Sequence, residues 1–164
     1  MTDATTTCPG CGLVLPDQGD APDQRYNASG ACRALYTALT VVTLADPGAD
    51  FDHQLAVDAY TAQHVSAAAR PIGTAFALVG LYLAFERGFT GRQVQRAHTL
   101  MAQRRRDWPR FTPPVSPMWL TVRDVLAAPD EQRRAALRAW GASVWAAWRE
   151  QHGAIVALAT ATLG

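Results

Sequence analysis

The chain contains no lysine: all fifteen of its Lys+Arg residues are arginine. That absence removes the Schiff-base lysine, the phosphate-loop lysine and the lysine general base as mechanisms. Apolar runs are short as well. The longest, Ile72 to Phe85, spans 14 residues, well below the roughly 20 needed to cross a bilayer, and Arg70 and Glu86-Arg87 flank it. The N-terminal Met1 to Thr7 is polar and threonine-rich, with neither a basic start nor an apolar segment, so no secretory signal is expected. Cys8 lacks the apolar run that precedes a lipidated cysteine. These features predict a cytoplasmic protein without a membrane segment.

Cysteine is scarce, and its number is odd. Three cysteines suit a disulfide framework poorly, and in a reducing compartment they point to metal binding or redox chemistry. What is abundant is apolar surface: 49% of the 164 residues are hydrophobic, enough for one compact domain that buries about 70% of its unfolded-chain surface. The lysine-free, alanine-rich composition suggests a GC-rich bacterial genome. The net charge of +1 hides a split, with eight acids and two arginines in residues 1–60 against six acids and thirteen arginines in 61–164.

Periodicity predicts an all-α single-domain bundle of about five or six helices behind an irregular arm over residues 1–26. The helical domain runs over 27–164. A first helix is expected from a cap at Asn27 or Ser29 to about Leu44, stopped by Asp46-Pro47-Gly48. A second follows Asp50 or Asp52 toward His64, and a third opens at Pro71, where a missing N–H costs least. The third is apolar nearly all round and therefore central. Thr90 and Gln93 form a capping box for a fourth helix reaching about Arg106. Trp108 to Pro117 is an extended connection, and Thr121 with Asp124 caps a short helix. The longest helix opens at Pro129-Asp130-Glu131 with a stripe of Leu137, Trp140, Val144, Trp148 and Ile155, interrupted at Gly153. No run reads as a strand.

Cys8-Pro9-Gly10-Cys11-Gly12 places two thiols three residues apart in a glycine-rich turn, a spacing that grips one ion. A redox dithiol and unrelated free cysteines are the competing readings, but no strand–helix unit of the thioredoxin type surrounds the motif. Soft thiolates favour zinc, with iron the other candidate, and a tetrahedral set needs two more ligands. Cys32 falls in the first turn of the first helix, where the helix dipole favours thiolate; the alternative is a small buried core residue. If the first two helices fold antiparallel about residue 48, positions whose numbers sum to about 96 lie side by side. Cys32 then faces His64, whereas His53 faces Thr43. Eleven helical residues separate the two histidines by about 16 Å, so they cannot share an ion. The expected metal set is Cys8, Cys11, Cys32 and His64, with His53 and His152 as weaker choices and His98 a hydrogen-bonded, partly buried histidine.

With those residues placed, the chain resembles an uncharacterised bacterial family known as a domain of unknown function. The matching segments are CPGCG at 8–12, Cys32, the block His53-Gln-Leu-Ala-Val-Asp58-Ala-Tyr60-Thr-Ala-Gln63-His64, and Trp140-Gly-Ala-Ser143-Val-Trp145-Ala-Ala-Trp148. Val65-Ser66 follows the last histidine, where the family pattern has Pro-Gly. The resemblance implies no activity.

Around this set, Tyr60 shares a helix face with His64 and is either a partner of the site or an aromatic filler. Asp58 is expected to orient a histidine or to bond Arg33. The tryptophans read as core, with Trp145 off the stripe.

Three functions follow. A closed site of three cysteines and one histidine is structural and makes the chain a module that binds a small molecule or protein. An open zinc site would make it a hydrolytic or lyase-type metalloenzyme, with His53, Asp58 or Glu86 as acid–base partner. Third, six arginines between Arg92 and Arg110 with Trp108 and Phe111 suit an acidic partner, although a solvated helix end explains them too and nucleic acid is not the expected partner. The oligomeric state is unassigned.

Overall fold

A computed structural model describes residues 4–46, 48, 50–115 and 120–164. Pro47 of the expected first-helix stop, and Ser116 and Pro117 of the expected connection, lie outside the described residues.

The architecture is all-α, with seven helices among the described residues: α1 Gly30–Ala45, α2 His53–Gln63, α3 Pro71–Glu86, α4 Gly91–Arg104, α5 Val122–Ala127, α6 Asp130–Ala147 and α7 His152–Leu163. Local rules set most of the boundaries. Ser29 caps α1 by accepting from the Cys32 N–H, and Pro71 occupies the first turn of α3. Thr90 with Gln93, and Thr121 with Asp124, form reciprocal capping boxes on α4 and α5, each satisfying otherwise orphaned N–H groups. None of these helices is long and apolar enough to cross a membrane.

α3 is the axis of the bundle, as its apolar circumference requires. Its buried residues run without a gap from Leu78 to Ala84, and α2, α4, α6 and α7 all pack against it. α6 lays its stripe of Leu137, Trp140 and Val144 into this core.

Two expectations are corrected. The N-terminal arm is not wholly irregular: β1 Thr5–Thr7 pairs antiparallel with β2 Val14–Pro16, with Thr6 opposite Leu15. Three-residue strands carry too little alternation to be read, and the pair is completed by its loop, where the Cys8 N–H donates to the Leu13 carbonyl at 2.8 Å. Leu15 alone turns inward, 7% exposed. The long C-terminal stripe is also two helices, which puts the count above the five or six expected. α6 ends at Ala147 with Trp148 as its cap, a 3-10 turn spans Arg149–Gln151, and α7 starts at His152. Gly153, the expected break, lies inside α7. The break falls earlier because the His152 ring stacks on Trp145 at 3.6 Å between centroids and its Nε2–H donates to the Trp145 carbonyl at 2.9 Å.

Candidate metal centre

α1 and α2 run antiparallel with the register the sequence implies. Thr43 Oγ1 and His53 Nδ1 are hydrogen-bonded at 2.8 Å at one end. The rings of Tyr36 and Tyr60 stack at 3.9 Å in the middle. At the other end Cys32 Sγ lies 3.5 Å from His64 Nε2. The β-hairpin loop closes over that end, so that Cys8, Cys11, Cys32 and His64 bring one donor atom each within 4.8 Å of one another.

Each donor is placed by a distinct local device. Cys32 sits third in α1, held by the Ser29 cap and facing the positive end of the helix dipole. His64 terminates α2, with its backbone N–H shared between the Tyr60 and Thr61 carbonyls. Its Nδ1–H donates to the Tyr60 carbonyl at 2.8 Å, which selects the tautomer with a free Nε2 lone pair on the thiol side. The hairpin loop is bent by Gly12 at φ 77°, whose N–H donates to the Cys8 carbonyl at 2.9 Å. Gly10 is required by contact: a Cβ there would lie 2.6 Å from His64 Cδ2 and 2.4 Å from the Asn27 carbonyl oxygen.

Two of the six donor–donor spacings match a tetrahedral ion. Bonds of about 2.3 Å to sulfur and about 2.05 Å to nitrogen imply edges of about 3.8 Å between sulfurs and about 3.55 Å from sulfur to nitrogen. Cys11 and Cys32 Sγ are 3.8 Å apart, and the Cys32–His64 edge is 3.5 Å. Hydrogen bonds from Cys11, then Cys32, hold the Cys8 thiol far below the ordinary range. Donating to Cys32 and Cys8, together with burial, pushes Cys11 far up. Cys32 rises to about 11: the hydrogen bond from Cys11 pulls it down, but donation to Cys8, burial and the Cys8 charge outweigh that. One thiolate is therefore favoured and further ones are opposed, unless a cation supplies the missing charge.

Tyr60 turns out to be both partner and filler. Its ring stacks on His64 at 4.0 Å, and its hydroxyl donates to Cys32 Sγ at 3.6 Å. Burial keeps that hydroxyl protonated. Gln63, given no role by the sequence, links this end of α2 to the core: its Oε1 accepts from Trp140 Nε1 at 3.0 Å and its Nε2 donates to the Leu120 carbonyl at 2.8 Å. Trp148 Nε1 donates to the neighbouring Ala62 carbonyl. The signal for Gln63 was its place beside His64, but an amide's partner cannot be read from spacing.

The other candidates are held elsewhere. Asp58 meets neither a histidine nor Arg33. It is buried in the α2–α3 interface and accepts from Gln54 Nε2 at 3.0 Å, while Arg33 pairs with Asp23 at 3.1 Å. Glu86 pairs with neither Arg87 nor Arg92; it accepts from Trp145 Nε1 at 2.8 Å. His53 is bound to Thr43, and burial lowers its pKa. His98 donates from Nε2 to the Phe76 carbonyl at 2.9 Å. In the arginine cluster, Arg104 caps α7 by donating to the Thr162 and Leu163 carbonyls. Arg92 and Arg105 lie over Phe51 and Trp108, so half of the six arginines have intramolecular work.

The chain matches the model of a family of unknown function, DUF5946, over residues 6–149, and it belongs to that family. No curated protein and no solved structure matches it. The matched span takes in all four donors and both aromatic-rich blocks of the sequence.

Proposed function

We propose that this member of the family binds one zinc ion through Cys8, Cys11, Cys32 and His64, and that the ion fastens the β-hairpin arm to the α1–α2 hairpin of a small ligand-binding helical module. The observation carrying this reading is the convergence of four soft donors from three separate chain segments within 4.8 Å. The two edges of tetrahedral length at Cys32 and the His64–Tyr60 hydrogen bond support it. Four protein donors complete a zinc sphere, the usual condition of a structural site. Zinc is favoured over iron because the single imidazole with three thiolates matches common structural zinc sets.

The metalloenzyme reading gains no comparable observation, since His53 and Glu86 each have a partner within the fold and the one hydrogen bond of Asp58 goes to Gln54 rather than to any of the four donor residues. The arginine cluster as a site for an acidic partner is likewise weakened by the arginines already engaged.

Elemental analysis of the chain purified without added metal tests the proposal. About one equivalent of zinc per chain is expected, and cobalt substitution should give the intense visible bands of a tetrahedral thiolate site. Metal-free protein that keeps its fold and all three reactive thiols would overturn it.

A further inference from the structure

Beside the proposed metal centre, α2, α3 and the segment that links them, with Tyr26 of the arm and His98 of α4, line an open hollow of about 730 Å³ with His64 in its wall. That volume lies within the range of small-molecule sites. Its surface is chiefly apolar and aromatic, formed by Tyr26, Val57, Ile72 and Phe76 among others. Asp58, which is only 3% exposed, also lines it.

Asp58 is an unusual residue to find there. Among the described residues its carboxyl makes one hydrogen bond, from Gln54 Nε2 to Oδ1, and no ion pair. Gln54 on its own helix and Gly80 from α3 lie against it; Arg134 and Arg138 of α6 line a second hollow that Asp58 also borders, but neither pairs with it, and Arg134 is held by Asp50 and Asp52. Gly80 exists for it sterically, since a methyl group there would sit 2.1 Å from Asp58 Oδ2. The fold thus gives up a side chain in the middle of its central helix, a position where glycine is unfavourable, to admit a carboxyl without a counter-charge. Burial accordingly holds Asp58 well above the usual carboxylate range. A carboxyl buried in this way rests neutral and ionises when a cation beside it offsets the desolvation.

We infer that this cavity binds a small organic amine, with its ammonium group against Asp58 and its apolar body between Tyr26, Ile72 and Phe76. The ammonium donates to the carboxylate, Gln54 holds the other oxygen, and the aromatic faces add cation–π attraction. His98, also in the wall, is neutral at pH 7 and does not repel the cation; its pKa is lowered to about 4 by burial. Arg25 and Arg70 stand at the solvent edge, where Arg25 is paired with Asp23 and ionic screening weakens both. The inference names the ligand of the module proposed above and does not depend on which metal holds the arm.

The test is calorimetric titration of the zinc-loaded full chain at pH 7 with phenethylammonium, phenylpropanol and phenylpropionate, probes of similar shape and different charge. The amine should bind at least about tenfold more tightly than the other two. Asp58→Asn should remove that preference while keeping its zinc. The carbon-13 resonance of the Asp58 carboxyl in the unaltered chain should move from the neutral to the ionised position on saturation with the amine, a readout that needs no variant. Equal affinity for amine and alcohol, preference for the carboxylate, no binding of any probe, or an amine preference surviving in Asp58→Asn would each overturn the assignment. Failure to bind amine with zinc retained leaves the metal reading intact; amine binding by a chain that takes up no zinc when zinc is supplied overturns the metal reading alone.

Discussion

The arm and the helical body are held by opposite means. The arm, residues 4–26, buries few apolar side chains (Cys8 and Leu15) and is drawn down by converging thiols. The body has an apolar axis in α3 and two fully buried tryptophans, Trp140 and Trp148, each with its indole N–H satisfied. A short segment that cannot bury enough surface needs a strong local bond, whereas a bundle of this size can rely on the hydrophobic effect. The two systems meet at the end of α2, where His64 faces the thiols and Gln63, next to it, holds Trp140.

The sharpest break between the two is expected from removing the proposed metal. Chelation should strip the ion, and Cys32→Ser should cut zinc affinity by at least about a hundredfold; either should free the arm, because structural zinc supplies about 10 kcal/mol or more to small sites. Hydrogen exchange should then lose protection over residues 4–26 while α3 and α6 stay protected. Loss of protection throughout would show that the body, too, depends on the ion.

Trp140→Ala makes the complementary cut. It should destabilise the body by about 3–5 kcal/mol through its cavity and the orphaned Gln63 amide, measured by denaturant unfolding. Zinc content in the folded fraction should remain at about one equivalent per chain.

Acid separates the regions by titration. His98 has a native pKa of about 4, below the unfolded value of about 6.5. The unfolded chain therefore binds more protons between these values, so stability is present above pH 6.5 and falls as pH drops toward 4. At pH 5 the loss is about 2 kcal/mol. It should disappear in His98→Gln, and NMR should show His98 titrating near the lower value. Zinc release on protonation of the thiolates, followed with a chromophoric chelator, reports the arm independently.

The smallest effect is expected from Tyr60→Phe, which deletes one hydrogen bond to Cys32 Sγ and leaves the stacking on His64 and Tyr36. Zinc affinity should fall by about tenfold, with little change in the unfolding midpoint of the body. A larger stability loss would mean that the hydroxyl also supports the core.

Helix existence and helix starts were legible because they depend on neighbours within four residues: Ser29, Pro71, Thr90 and Thr121 each act on the turn that follows. The β-hairpin was not, because three threonines and Val14-Leu15-Pro16 have no pattern until the loop between them closes. Nor was the split of α6 from α7, set by His152 stacking on Trp145 rather than by Gly153.

By itself the sequence determined the helical class, the CxxC turn and, through the hairpin register, that Cys32 meets His64. Those follow from periodicity, capping and the fixed rise of a helix, which are short-range rules. Only the tertiary structure decided that the arm pairs as a β-hairpin, that Gln63 belongs to Trp140, and that Asp58 lies against Gly80 without an ion pair. Each of these joins residues from different elements, and the separation of elements in space is set by packing of the whole bundle rather than by any local pattern.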